Sequence, residues 1–68
     1  MDKVSKQFGE NLRKLRLSNN LSQGQLAKKI GSDKSYISTI ENGKKNITLE
    51  TMKKLAQALG VVMEELMK

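Results

Sequence analysis

Apolar residues recur at helical spacing along the first part of the chain, at intervals of four, four and three residues. These positions are Val4, Phe8, Leu12 and Leu15. Such spacing places side chains on one face of an amphipathic helix that faces a core. Gly9 weakens this helix without necessarily breaking it. The pattern predicts a first helix that ends around Asn19 and Asn20.

A capping signal precedes the second apolar segment. Ser22 and Gln25 have the Ser-x-x-Gln spacing of a capping box, in which each side chain accepts a backbone N–H of the other residue. The apolar residues that follow at core spacing are Leu26, Ala27 and Ile30. We therefore predict a short second helix over Gln23 to Ile30.

The third helix begins after a very tight turn. Gly31 follows the last apolar residue of the second helix, where a residue that tolerates positive φ is favoured. Ser32 is a good N-cap for the next segment. That segment is predicted as a helix over Asp33 to Asn42 that buries Ile37 and Ile40 and ends at a glycine.

Two further helices complete the pattern. Thr48 is positioned to cap a fourth helix that ends at Gly60. Its inner stripe is Met52, Leu55, Ala56 and Leu59. A last short helix contains Val62, Met63, Leu66 and Met67. Because no segment alternates apolar and polar residues, the predicted fold is all-α, a compact bundle of five helices without a sheet.

Composition limits what such a fold could do. The 68 residues suffice for one compact domain, so we expect residues 1–68 to form a single unit. Cysteine and histidine are both absent, which removes disulfides, the commonest structural-metal ligands and the usual general base near neutral pH. We therefore expect no metal, no cofactor and no enzymatic activity.

The charge is positive and unevenly distributed. The formal net charge is +6, and residues 1–48 carry ten Lys or Arg against four Asp or Glu, whereas residues 49–68 carry three of each. A basic surface of this kind is typical of proteins that bind a polyanion. The basic part of the chain contains the second and third helices.

Nothing in the sequence indicates a membrane protein. No stretch approaches the apolar length of a membrane span, and residues 1–10 lack the apolar run of a signal peptide. We therefore expect a cytoplasmic protein that makes no membrane contact.

Residues 23–42 have the pattern of a helix-turn-helix. Two short helices that cross steeply need a small residue at the crossing, a φ-permissive residue at the corner and apolar residues facing inward from both arms. The residues in these positions are Leu26, Ala27, Ile30, Gly31, Ile37 and Ile40.

The segment LSQGQLAKKIGSDKSYISTIENGKKNITLETMKKLAQALGV resembles the Cro and phage-repressor-like helix-turn-helix family, also called the xenobiotic-response-element family. The resemblance includes Ile-Glu-Asn-Gly at 40–43, Leu-Ala-Gln-Ala-Leu-Gly at 55–60 and Glu-Glu-Leu at 64–66. It implies a lambda-repressor-like fold and a transcriptional regulator that binds a palindromic site on double-stranded DNA as a homodimer.

Within that family, two segments are similar to the controller proteins of restriction-modification systems. They are Tyr36-Ile37-Ser38 and Lys45-Asn46-Ile47-Thr48. General repressors of the family use the same positions, so both alternatives remain open. An antitoxin of the same fold is a further alternative, although such proteins usually carry an added segment that binds the toxin, and none is evident here.

The resemblance places three base-reading residues on the third helix, Lys34, Ser35 and Thr39. Lys34 can donate to the O6 and N7 acceptors of guanine, and the methyl group of Thr39 can contact thymine. The hydroxyl of Ser35 can donate or accept at several bases. These side chains are not selective enough to predict a target sequence.

Other polar residues are candidates for contacts with the DNA backbone, because the flanking loops and the preceding helices of such motifs bind phosphates. They are Arg13, Gln23, Asp33, Tyr36, Ser38, Asn42, Lys44, Lys45 and Asn46. The resemblance implies that Gln23 binds a phosphate. Solvated charge is the alternative for the lysines and for Arg13, and packing on the scaffold is the alternative for Tyr36.

The resemblance also assigns a structural role to two further residues. Arg16 and Glu41 are expected to pair across the first and third helices as a structural salt bridge.

Gly24 stands where the family usually has a better helix former such as Glu or Ala. A glycine there either allows a close approach to DNA or is simply tolerated.

An apolar surplus near the end of the chain suggests a dimer interface around residues 59–67. The candidates are Leu59, Val61, Met63, Leu66 and Met67. We expect Val62 and Leu66 to close the core, which leaves Met63 and Met67 more available. No pocket for a small-molecule effector is evident, since every helix is committed to core, DNA or dimer.

Overall fold

A computed structural model describes residues 3–68, and these residues form five α-helices without a β-strand. The helices are α1 (Lys3–Ser18), α2 (Gln23–Lys29), α3 (Lys34–Glu41), α4 (Leu49–Leu59) and α5 (Met63–Met67). The predicted all-α, five-helix architecture is confirmed. No helix within this described part is long and apolar enough to cross a membrane.

The core lies between α1, the α2–α3 pair and the last two helices. Among residues 3–68 it contains ten buried apolar side chains, all of them from the predicted inward faces. They are Phe8, Leu12, Leu26, Ala27, Ile37, Ile40, Leu55, Ala56, Leu59 and Leu66. Ile37 and Ile40 of α3 belong to this cluster, so the opposite face of α3 is turned towards solvent.

One residue of the first apolar stripe is not buried. Val4 is 76% exposed, whereas Phe8, one turn later, belongs to the core. Val4 borders an open groove that Met52 and Met67 also line. The prediction that Val4 faces the core is therefore wrong, because the groove beside the first turn of α1 stays open.

The start of α2 follows the predicted capping box. The Ser22 hydroxyl accepts the Gln25 backbone N–H at 3.0 Å, and the Gln25 side chain accepts the Ser22 backbone N–H at 2.8 Å. The helix ends one residue earlier than expected, with Ile30 as its C-cap. Gly31 then adopts a φ of +72°, the left-handed conformation predicted for the corner.

The N-cap of α3 is Asp33 and not Ser32, which corrects the prediction. The Asp33 carboxylate accepts the Tyr36 backbone N–H at 2.9 Å. The backbone N–H of Ser32 instead donates to the Ala27 carbonyl at 2.8 Å, so Ser32 belongs to the C-terminal end of α2. Helix α3 therefore begins at Lys34, one residue later than predicted.

Two glycines allow α1 to approach the end of α3 at backbone distance. A Cβ on Gly9 would clash with the carbonyl oxygen of Ile40 and would lie 2.7 Å from that of Glu41. At Gly43, where φ is +72°, a Cβ would lie 2.9 Å from Cα of Lys6. Both positions need glycine because a side chain has no space there.

The end of the chain packs against α1. The Asn11 side chain is buried and donates to the Leu66 carbonyl at 3.0 Å, and Gln7 donates to the Lys68 carbonyl at 3.0 Å. These bonds satisfy carbonyls that the short helix α5 leaves open at its C-terminal end. They hold α5 in place although it contains only five residues.

The predicted division of the last apolar residues is partly wrong. Leu59 and Leu66 are fully buried in the core, so neither is available for a dimer interface within this structure. Val62, which was expected to close the core, is 62% exposed. It occupies the N-cap position of α5, where the chain turns outward after α4, and offers no side-chain capping bond.

Candidate nucleic-acid interface

The N-terminal end of α3 is exposed. Asp33, Lys34 and Ser35 all have exposed side chains, while Ile37 and Ile40 anchor the other face of the helix in the core. The first turn of α3 therefore projects from the surface on a rigid base. In helix-turn-helix proteins this is the part of the second helix that contacts base edges.

The middle of α3 is less accessible than its first turn. Ser38 and Thr39 are both half-buried, and the Thr39 hydroxyl donates to the Ser35 carbonyl at 2.8 Å within the helix. The hydroxyl hydrogen of Thr39 is therefore already used. Its methyl group is the part that suits the predicted contact with thymine.

Tyr36 lies against α4. Its hydroxyl is 3.3 Å from the Thr51 hydroxyl, and the ammonium group of Lys45 lies 5.2 Å from the centre of its ring. This distance is within the range of a cation–π interaction. Packing on the scaffold, one of the two predicted alternatives, is thus the state of Tyr36 in this structure.

The loop after α3 places several polar groups beside the start of α1. Asn42 is exposed and caps the end of α3, with its backbone N–H donating to the Ser38 carbonyl at 3.0 Å. Lys44 and Lys45 are exposed. Asn46 accepts a hydrogen bond from Ser5 at 3.2 Å, so the side chain expected to meet DNA also ties the loop to α1.

Lys6 joins this group although no sequence pattern indicates it. Its Cα lies close to Gly43, and its side chain is exposed. The two residues are far apart in the sequence, and only the close packing of α1 against the end of α3 brings Lys6 beside the loop lysines. The absence of a side chain at Gly43 was the one signal in the sequence for such an approach.

Arg16 and Glu41 form an ion pair across α1 and α3. Nε of Arg16 lies 2.6 Å from Oε2 of Glu41, and Nη2 donates to Oε1 at 3.1 Å. The side chains are only 9% and 4% exposed. Hydrogen bonding to Glu41 raises the pKa of the Arg16 guanidinium, burial opposes this effect, and the charge of Glu41 adds to it. Arg16 is therefore a structural residue and always charged.

Gln23, at the start of α2, belongs to the same cluster. Its side-chain nitrogen donates to Oε1 of Glu41 at 3.1 Å, and the residue is half-buried. The sequence did not reveal this contact, because Gln23 and Glu41 lie on different helices and neither has an unusual neighbour. Arg13, three residues before Arg16 on α1, is exposed.

The arrangement suits an anionic partner and offers no metal site in the part that the structure describes. Exposed cationic side chains lie on α1, on the first turn of α3 and in the loop after it. They are Lys6, Arg13, Lys34, Lys44 and Lys45. Among residues 3–68, no three acidic, histidine or cysteine side chains come together in a way that could hold a metal ion.

The profile of the HTH_3 family, described as helix-turn-helix, matches residues 12–66. The chain belongs to this helix-turn-helix family. As a member it is a DNA-binding transcriptional regulator of the Cro and phage-repressor type, which confirms the resemblance seen in the sequence.

Similar proteins include control proteins of restriction-modification systems. The chain is 40% identical over 67 residues to control protein C.MunI of a Mycoplasma species, covering 97% of this chain and 90% of that protein. It is 41% identical over 61 residues to control protein C.BamHI of Bacillus amyloliquefaciens, covering 88% and 75%.

The crystal structure of a controller protein has the same fold. The restriction-modification controller protein C.AhdI from Aeromonas hydrophila superposes with a TM-score of 0.87 at 42% identity, over 91% of this chain and 90% of that one. This chain and C.AhdI therefore share the arrangement of helices described above.

Proposed function

We propose that this helix-turn-helix regulator controls transcription as a homodimer on a palindromic operator, in the manner of a restriction-modification controller. The observation that carries the proposal is the exposed first turn of α3 on a helix whose other face is locked in the core. The similarity to three control proteins supports the controller role.

Lys34, Ser35 and Thr39 are the proposed base-reading residues. Lys34 and Ser35 are exposed in the first turn, where they can enter the major groove, and Thr39 offers its methyl group one turn later. Asp33 is close to these residues, but its carboxylate is used as the N-cap. Its negative charge makes it a poor phosphate contact.

The DNA backbone would be held by polar residues on the elements next to α3. The candidates are Gln23 on α2, Arg13 on α1, and Asn42, Lys44 and Lys45 in the loop after α3, all in exposed or half-buried positions. We add Lys6 to this group because it lies beside the loop. Tyr36, Ser38 and Asn46 are in weaker positions, since Ser38 is half-buried and the polar groups of the other two have partners within the chain.

The proposed dimer surface consists of the apolar residues near α5 that the core leaves uncovered. Val62 and Met67 are exposed there, and Val61 and Met63 are half-buried against the core beside them. One recognition helix reads only a few base pairs, so specific binding by this architecture needs two copies on half-sites about one helical turn apart. Residues 49–68 have no net charge, which favours self-association over repulsion.

The controller role requires no ligand or catalysis. We propose that activity follows the concentration of the protein and not an effector. The protein would therefore act by occupying a site near a promoter and not as an enzyme.

Selection of bound sequences from a random duplex library, with the mass of the protein measured in solution, tests this proposal. We expect a twofold-symmetric motif with half-sites about one helical turn apart. We also expect a mass of two chains, at least on DNA. Failure to enrich a motif would contradict sequence-specific binding, and an asymmetric motif bound by one chain would contradict the dimer.

A further inference from the structure

Glu41 joins three helices through one carboxylate. Its Oε1 accepts hydrogen bonds from Nη2 of Arg16 on α1 and from Nε2 of Gln23 on α2, each at 3.1 Å, while the carboxylate itself belongs to α3. Oε2 accepts Nε of Arg16 at 2.6 Å. The α1–α3 ion pair is therefore also connected to the residue that begins the helix-turn-helix.

This connection fixes which atoms Gln23 presents to solvent. An ionised carboxylate only accepts hydrogen bonds, so the Gln23 amide must turn its NH2 group, and not its oxygen, towards Glu41. An NH2 group has two hydrogens that diverge in the amide plane, and Glu41 uses one of them. The second remains as a donor on a half-buried residue at the protein surface.

The burial of the cluster makes this orientation rigid. The Glu41 side chain is 4% exposed, and Arg16 is held by a further bond from Nη1 to the Leu21 carbonyl at 2.8 Å. Among residues 3–68 no buried side-chain polar atom lacks a partner. A change in the Gln23 orientation would therefore leave a hydrogen-bonding site of Glu41 unfilled in a poorly hydrated position.

We propose that Glu41 is a positioning residue for DNA binding, which holds the Gln23 amide so that its second N–H donates to a DNA phosphate. The inference rests on the proposed function, since it assumes that Gln23 faces DNA. Arg16 contributes indirectly, because its ion pair holds the Glu41 carboxylate in place. A donor that is already oriented loses less conformational entropy on binding than a mobile glutamine side chain.

A double-mutant cycle separates this role from a purely structural one. One background is the native chain, and the other replaces the ion pair by apolar residues, Arg16→Met with Glu41→Leu, a change that buried ion pairs often tolerate. Gln23→Ala is made in both backgrounds, and Gln57→Ala, at an exposed position on α4, is the matched control. The probe is one fixed duplex long enough for two half-sites.

In the native background Gln23→Ala should weaken binding about tenfold, the effect of a hydrogen bond to a charged group. In the ion-pair replacement the same change should weaken binding less than about twofold. Since glutamine carries no charge, the slope of log affinity against log salt should be unchanged by Gln23→Ala. Gln57→Ala should have no effect in either background.

The side-chain NH2 resonances of Gln23 provide a second measurement on the native chain, which does not depend on whether a variant folds. In the free protein one of the two hydrogens should be protected from exchange. Saturating duplex should move the other downfield and protect it as well.

Each outcome bears on a different claim. If the native protein binds no duplex at any salt concentration, the proposed function fails first. If it binds but Gln23→Ala has the same effect in both backgrounds, or no effect in the native one, the positioning role is wrong. Unchanged Gln23 resonances on a saturated duplex would also overturn it.

Discussion

Gly9 and Gly24 both lie inside helices but have opposite surroundings. A Cβ on Gly9 would collide with the backbone of Ile40 and Glu41, whereas a Cβ on Gly24 would meet only the Ser22 hydroxyl, at 3.9 Å. In the sequence alone, both glycines are weak points of a helix. Only the structure shows that Gly9 is required by the close approach of α1 to α3.

Gly9→Ala should lower the free energy of unfolding by about 2 kcal/mol or more, because the added methyl forces two backbones apart. Gly24→Ala is the matched control and should leave stability unchanged or raise it by up to about 1 kcal/mol, since alanine is the better helix former. Urea denaturation followed by circular dichroism measures both. Equal effects from the two changes would contradict the close packing at Gly9.

Residue contacts were predictable where a short pattern or the family resemblance specifies them. The pairing of Arg16 with Glu41 followed from the resemblance, and the structure contains that ion pair. The bond from Gln23 to Glu41 and the position of Lys6 beside Gly43 did not follow. Both depend on how helices that are distant in the sequence cross, which periodicity does not determine.

At the scale of the elements, hydrophobic spacing was sufficient to predict all five helices. The N-cap of α2 was predicted correctly, because Ser22 and Gln25 form a reciprocal capping box. The N-cap of α3 was not predicted correctly, because Ser32 and Asp33 are adjacent and both are residue types that favour the N-cap position. The choice between them depends on the Ser32 backbone N–H, which the end of α2 requires.

Asp33→Ala should therefore destabilise the protein by about 1 kcal/mol, the usual cost of losing an N-cap. Ser32→Ala, one residue earlier, should change stability by less than about 0.5 kcal/mol because the Ser32 side chain caps nothing in α3. Thermal unfolding of the two variants measures the difference. A larger loss from Ser32→Ala would show that the helix begins at the residue originally predicted.

At the scale of the whole molecule, the sequence indicated that an apolar surplus exists but not which residues expose it. Leu59 and Leu66 turned inward and Val62 turned outward. Their positions depend on the short connection between α4 and α5, and a spacing pattern over so few residues does not determine the direction of a helix. The proposed dimer surface is accordingly centred on Val62 and the neighbouring methionines.

Val62→Asp tests this surface. Aspartate is a good N-cap, so the variant should keep or increase the stability of α5, yet it places a charge in the proposed interface. We expect the dimer to dissociate at least tenfold more readily, measured by analytical ultracentrifugation.

Leu17→Asp is the control for Val62→Asp. It changes the net charge equally at another exposed apolar residue, near the far end of α1 from the contacts with α5. It should leave the dimer intact. Equal dissociation by both variants would mean that charge, and not the Val62 surface, controls association.

The central claim is that the first turn of α3 reads the bases while the loop after it holds the backbone. Library selection with two lysine variants tests this claim most directly. Lys34→Ala should remove the preference at one base position of each half-site, whereas Lys44→Ala should leave the motif unchanged and weaken all sequences alike. An unchanged motif for Lys34→Ala, or the same loss of preference for both variants, would contradict it.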